Sequence, residues 1–262
     1  MDPAPPYDPP PSAEPRPREP EVGEEARLGE RIGRVAALFV YCFAGYYALG
    51  LGIDPAQARQ LRLPIDDWIP LIPATHWCYV WVYTAMLYPV FTVRERRLFV
   101  QVTKAYLLVI TVSLACYAVI PVTSVGFRPD LSGYDMSVFH NWGLRVNYTL
   151  DPPMNLFPSL HLSIATLAAL CAWRARPLWG YVAIPLVVGI AVSIVTVKQH
   201  FVVDGVAGLL LGAAAYVVVV HRTPAGPGSA YGWRGPLAFL GVLLGFYLVF
   251  FALFLGGYAP WE

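Results

Sequence analysis

The chain has 262 residues, 57% of them hydrophobic and 13% charged. A soluble domain carries about 25% charged residues, so an ordinary water-soluble fold is excluded. The net charge of +1 gives no hint of a nucleic-acid partner.

In chain order, the first segment is polar. Nine of the first 20 residues are proline and Glu21 to Glu30 is acidic. Such a stretch buries too little apolar surface to offset its ordering entropy, so residues 1–30 are expected to form a disordered cytoplasmic tail. It lacks the basic start and apolar centre of a cleavable signal peptide, and the first span is expected to act as the insertion signal. Seven apolar segments follow, at about 33–53, 72–93, 98–120, 159–173, 178–196, 201–220 and 237–257. Most approach the roughly 20 helical residues that cross a hydrocarbon core about 30 Å thick; the fourth is short. The fold class expected is all-α: a polytopic membrane helix bundle with a six-span domain at 31–220, then a cytoplasmic loop and a seventh span at 221–262. Cys42, Cys78, Cys116 and Cys171 all fall in apolar runs and read as small hydrophobes.

Lysine and arginine set the orientation. With the N-terminus inside, 13 basic residues lie on the cytoplasmic side, including the Arg94-Glu95-Arg96-Arg97 stop, and 5 lie outside. The expected protein is a multi-pass cell-membrane protein whose 121–158 loop, fourth-span start and fifth-to-sixth turn all face outward.

The chemistry-bearing residues converge on that face. They are Arg128-Pro129 in the loop, Pro158-Ser159-Leu160-His161 opening span four, and Lys198-Gln199-His200 followed by Asp204 opening span six. Asp204 lies four residues after His200, so on a helix the two side chains share one face. A carboxylate there fixes the imidazole tautomer and makes the other ring nitrogen a better nucleophile or base. The same spacing suits a polar pair at the membrane interface or two metal ligands. Ser159 suits a helix cap, whose unpaired N–H groups also make an anion site. Arg128 and Lys198 supply positive charge, although Lys198 equally suits a snorkelling interface residue. Together these residues form a set able to transfer a phosphoryl group. Asp130, Asp135, His140, Tyr148 and Asp151 could shape a head-group pocket, but read first as a solvated loop.

These motifs resemble those of the phosphatidic acid phosphatase type 2 superfamily over residues 70–220. Its signatures are K-x6-R-P, P-S-G-H and S-R-x5-H-x3-D. Arg128-Pro129 matches the end of the first, and Pro158-Ser159-Leu160-His161 the second with leucine for glycine. Ser193, His200 and Asp204 match the third. The resemblance implies His200 as nucleophile, Asp204 as its partner, His161 as general acid, and Arg128 and Ser159 on the phosphate. It implies a lipid phosphate or phospholipid substrate and no metal or other cofactor. Two family cations are absent, since Pro121 and Ile194 occupy their positions. Lys198, four residues after Ile194, would replace one of them if the helix ran that far. The F-P-S-L-H and K-Q-H-x3-D wording is most similar to the inositol phosphorylceramide synthase-like branch, which transfers to an alcohol. The readings from other classes are a non-catalytic family member or transporter and a metal-dependent hydrolase using His140, His161, His200 and Asp204.

Overall fold

The computed structural model describes residues 23–226 and 229–262, and the proline-rich part of the expected tail lies outside them. The elements are α1 (Leu28–Gly52), α2 (Pro64–Trp68), α3 (His76–Tyr79), α4 (Val82–Ala85), α5 (Tyr88–Thr92) and α6 (Arg96–Val119). Then come α7 (Phe139–Leu150), α8 (Leu160–Ala175), α9 (Pro177–Thr196), α10 (Val202–Ala215) and α11 (Arg234–Leu255). A wider helical turn, Tyr216–Val220, continues α10. The protein is an all-α membrane bundle. Among the described residues, five helices are long and apolar enough to cross a bilayer: α1, α6, α9, α10 with its continuation, and α11.

The second expected span is not one helix. Residues 72–92 pass from the C-terminal end of α9, where Ile72 N–H donates to Thr196 O at 2.9 Å, to its N-terminal end, where Tyr88 OH donates to Trp179 O at 2.8 Å. They do so as α3, α4 and α5, joined by tighter i→i−3 bonds such as Tyr83 N–H to Val80 O and Leu87 N–H to Thr84 O. The run is dense in aromatic and β-branched residues, which crowd an α-turn, and Pro89 has no N–H to give.

The shortness of α8 has a packing cause. It is surrounded by α4, α5, α6, α9 and α10, and most of its side chains are buried. A helix that is apolar all round belongs at the centre of a bundle, where it need not match the bilayer by itself. By contrast α11 has few buried residues and leans on α5 and α7. Its Tyr247 OH bonds Trp77 O.

Two features depart from the expected loops. The loop at 121–158 holds α7, whose buried Trp142, Val146 and Asn147 form one face. The acidic stretch at 23–30 is structural, because α1 already begins at Leu28. Glu24 O accepts from Arg96 N–H at 2.7 Å and its carboxylate pairs with the Arg96 guanidinium at 2.7 Å. The basic turn before α6 therefore draws the acidic segment onto the bundle.

Candidate active site

The site forms where α9 ends and α8 and α10 begin. After Thr196 the chain reverses, and the N–H groups of Gln199 and His200 both donate to Ile194 O, at 3.1 and 2.9 Å. Lys198 makes that reversal in the left-handed region, at φ 54°. Phe201 is extended and caps α10, which starts at Val202. His200 thus stands outside the helix, and the expected sharing of a helical face with Asp204 does not occur. A helix cap brings them together instead. Asp204, in the first turn, reaches back so that its Oδ2 accepts the Phe201 N–H at 2.9 Å. The same oxygen lies 3.6 Å from His200 Nδ1. A carboxylate at this position also complements the positive end of the helix. Asp204 is fully buried, and its Oδ1 has no partner among the described residues.

The start of α8 is stitched to this turn by Ser159 N–H, which donates to Asp204 O at 2.9 Å. Two glycines of α10 permit the approach. A Cβ on Gly208 would lie 2.3 Å from Ser159 O, and one on Gly212 would lie 2.5 Å from Ser163 O. Small residues at a helix interface let backbones close in this way. Ser159 occupies the N-cap, yet its hydroxyl makes no cap bond. It is fully buried and has no partner among the described residues.

His161, in the first turn of α8, meets His200 directly. His161 Nδ1 and His200 Nε2 are 3.2 Å apart, with ring centroids at 5.2 Å and planes at 71°. The Asp204 charge favours a proton on His200 Nδ1, which leaves Nε2 as an acceptor and makes His161 Nδ1 the donor. One ring then offers a lone pair and the other a proton.

The two expected cations are placed differently. Arg128 Nη1 donates to Asp151 O at 2.9 Å and Tyr148 O at 3.5 Å, and Nη2 to Pro152 O at 3.2 Å. Its Nε has no partner among the described residues. The adjacent Phe127 ring packs 4.8 Å from that of Phe201, so Arg128 borders the His200 turn. Lys198 Nζ bonds Asp66 O at 2.9 Å and also Ile69 O. Burial lowers the Lys198 pKa, against the opposing attraction of Asp66 and Asp67. Since α9 stops at Thr196, Lys198 is not delivered along the Ile194 face. Ile194 itself is buried in the core. Among the described residues neither Arg128 nor Lys198 forms an ion pair with a carboxylate.

Asp151 is the residue that sequence reasoning misplaced. It is buried, not solvated, and its Oδ1 accepts from Tyr46 OH at 2.8 Å. Its Oδ2 accepts from Tyr79 OH at 2.8 Å and Gln199 Nε2 at 2.7 Å. The Tyr79 ring lies 4.6 Å from that of His161, and Gln199 adjoins His200. One carboxylate therefore ties α1, α3 and the Gln199–His200 turn together. Nothing in the spacing around Asp151 announces this, because its partners are 48 to 105 positions away. Asp130 and Asp135 are exposed and close local turns onto Ser132 and Ser137. His140 lies on α7, and among the described residues no three His, Cys, Asp or Glu side chains converge as a metal-binding group.

The model of the PAP2 superfamily matches residues 51–218, well over half the chain and inclusive of His161, His200, Asp204, Arg128 and Ser159. The chain belongs to the PAP2 superfamily, whose members act on phosphate esters as phosphatases or phosphotransferases. No curated protein and no solved structure matches it.

Proposed function

We propose that this protein is a membrane-embedded phosphatase or phosphotransferase acting on a lipid phosphate ester at the extracytoplasmic face. The observation that carries the reading is the 3.2 Å apposition of His200 Nε2 and His161 Nδ1, with the Asp204 carboxylate at the far nitrogen of His200.

In this reading phosphorus enters between the two rings, which part to admit it. His200 Nε2 forms a bond to phosphorus as the ester P–O bond breaks, and His161, entering as the imidazolium, gives its Nδ1 proton to the departing oxygen and becomes neutral. Asp204 stabilises the positive charge that develops on His200. His161 then takes a proton from water or an alcohol, whose oxygen attacks phosphorus while the P–N bond breaks. Both histidines return to their starting states. The unpartnered Ser159 hydroxyl and the Arg128 Nε–H bind the phosphate oxygens, and the charge of Lys198 draws the anion toward the site. The F-P-S-L-H and K-Q-H-x3-D wording supports transfer to an alcohol, as in the inositol phosphorylceramide synthase-like branch. The basic-residue asymmetry supports the outward placement.

The test is single-turnover labelling. Purified protein in lipid nanodiscs is given a panel of ³²P-labelled phospholipids and lipid phosphates, with and without alcohol acceptors. An acid-labile, base-stable label on the wild-type protein that is lost in His200→Ala is the expected result. Release of product without any labelled protein, or labelling that persists in His200→Ala, sinks the nucleophile assignment.

A further inference from the structure

A narrow cleft lies between α1, α4 and α8. Phe39, Phe43, Tyr46 and Tyr47 line its α1 side, a spacing that belongs to one helical face. At 1.5 Å per residue that face extends about 12 Å along the helix, enough for a stretch of alkyl chain. Met86 and Ile164 continue the apolar wall opposite, and at one end stand His161 and Asp151.

The hydrogen-bonding character of that end is one-sided. Tyr46 OH and Tyr79 OH donate to Asp151. Tyr47 OH donates to Leu150 O at 3.1 Å and Tyr83 OH to Asn147 Oδ1 at 3.3 Å. Every one of these tyrosines has spent its proton within the protein, so what remains for a ligand is acceptors. A carboxylate has about four acceptor positions, and Asp151 uses three, with Oδ1 the less occupied oxygen. An end whose tyrosines offer only acceptors, set beside a carboxylate, disfavours a phosphate and suits a hydroxyl. His161 both walls this cleft and meets His200 on its other side. His200, Asp204 and Ser159 are not among the cleft-lining residues. The imidazole therefore divides an anion side from an alcohol side.

We propose that the α1/α4/α8 cleft binds the alcohol moiety of the substrate. That moiety is an alkyl chain bearing a free hydroxyl near its phosphorylated end, and this hydroxyl donates to Asp151 Oδ1. The proposal rests on the reading of His161 and His200 as the reacting pair. It adds a selectivity that the pair alone does not supply, since a site built to bond a hydroxyl rejects the analogue lacking it.

The test is a binding measurement that needs no turnover. Full-length His200→Ala in nanodiscs is photolabelled with a monoalkylglycerol carrying a diazirine in its chain, and with the di-O-methyl ether of the same probe. Labelling is expected within residues 39–47 and 82–86. The ether should need at least about tenfold higher concentration, less than for a wholly unpaired site because Asp151 keeps its three internal partners. Asp151→Asn should reduce that preference to about threefold or less, as a neutral acceptor bonds more weakly. Should Asp151→Asn fail to fold, Cys42→Trp fills the cleft without touching any of these hydrogen bonds, and it should abolish labelling. Equal labelling by both probes, labelling outside the cleft, or labelling that survives Cys42→Trp overturns the proposal. Expected labelling in a protein that turns over no lipid phosphate would overturn the function proposed above and leave the cleft assignment standing.

Discussion

The backbone N–H of Phe201 donates to Asp204 Oδ2 at 2.9 Å, so the carboxylate facing His200 is held in place by the helix cap and not by the histidine. Structure and chemistry can therefore be separated at this position. In Asp204→Asn the amide oxygen still accepts the Phe201 N–H, and the loss of stability should stay near or below about 1 kcal/mol. The charge opposite His200 Nδ1 is gone, and kcat should fall by about 10²–10⁴-fold, in line with the corresponding change in a serine protease triad. Thermal melting and steady-state kinetics on one preparation check both halves. A kcat within threefold of wild type would remove Asp204 from the chemistry.

His161 as proton donor implies dependence on the leaving group. His161→Ala should slow release of a lipid alkoxide by about 10²–10⁴-fold, the usual worth of general acid catalysis. It should slow p-nitrophenyl phosphate far less, because that leaving group hardly needs a proton. Equal losses on both substrates, with expression maintained, would reduce His161 to a structural residue.

The contact of α8 with α10 makes a third prediction. Gly208→Ala places a methyl 2.3 Å from Ser159 O, a backbone atom that cannot swing away. The helices must part, which should cost about 1–3 kcal/mol and separate the Ser159–His161 turn from Asp204. Gly245→Ala on α11 meets nothing within 4 Å and should change neither melting temperature nor turnover. If Gly208→Ala behaves like Gly245→Ala, the tight packing does not position the site.

Orientation is tested by impermeant thiol labelling in intact cells, on a background lacking the four native cysteines. Ser132 and Arg222 are both exposed, at opposite ends of the bundle. Ser132→Cys should react and Arg222→Cys should not. The reverse pattern would put the site on the cytoplasmic face.

Much of this was legible in the chain. Five of the seven apolar segments are helices of membrane length, because a run of about 20 apolar residues states its own fate in lipid. The short fourth segment also became a helix, α8, though a buried one. The motif residues His161 and His200 do meet, and Asp204 does face His200. The second segment has the apolar content of a span, yet it is not one helix. What interrupts it is the crowding of aromatic side chains and the tighter turns at Val80 and Leu87, which hydropathy does not register.

The division follows from range. Hydropathy, charge asymmetry and motif spacing are local, and by themselves they determined a multi-span helical protein with two histidines and an aspartate at one end. Contacts between distant segments belonged to the tertiary structure alone. It put His200 outside the helix, gave Asp204 to a cap, turned Lys198 toward Asp66 and Ile69, and buried Asp151 beneath tyrosines from α1 and α3. A buried polar group must find its partners wherever the fold brings them, and for Asp151 those partners lie in three segments that no local pattern connects.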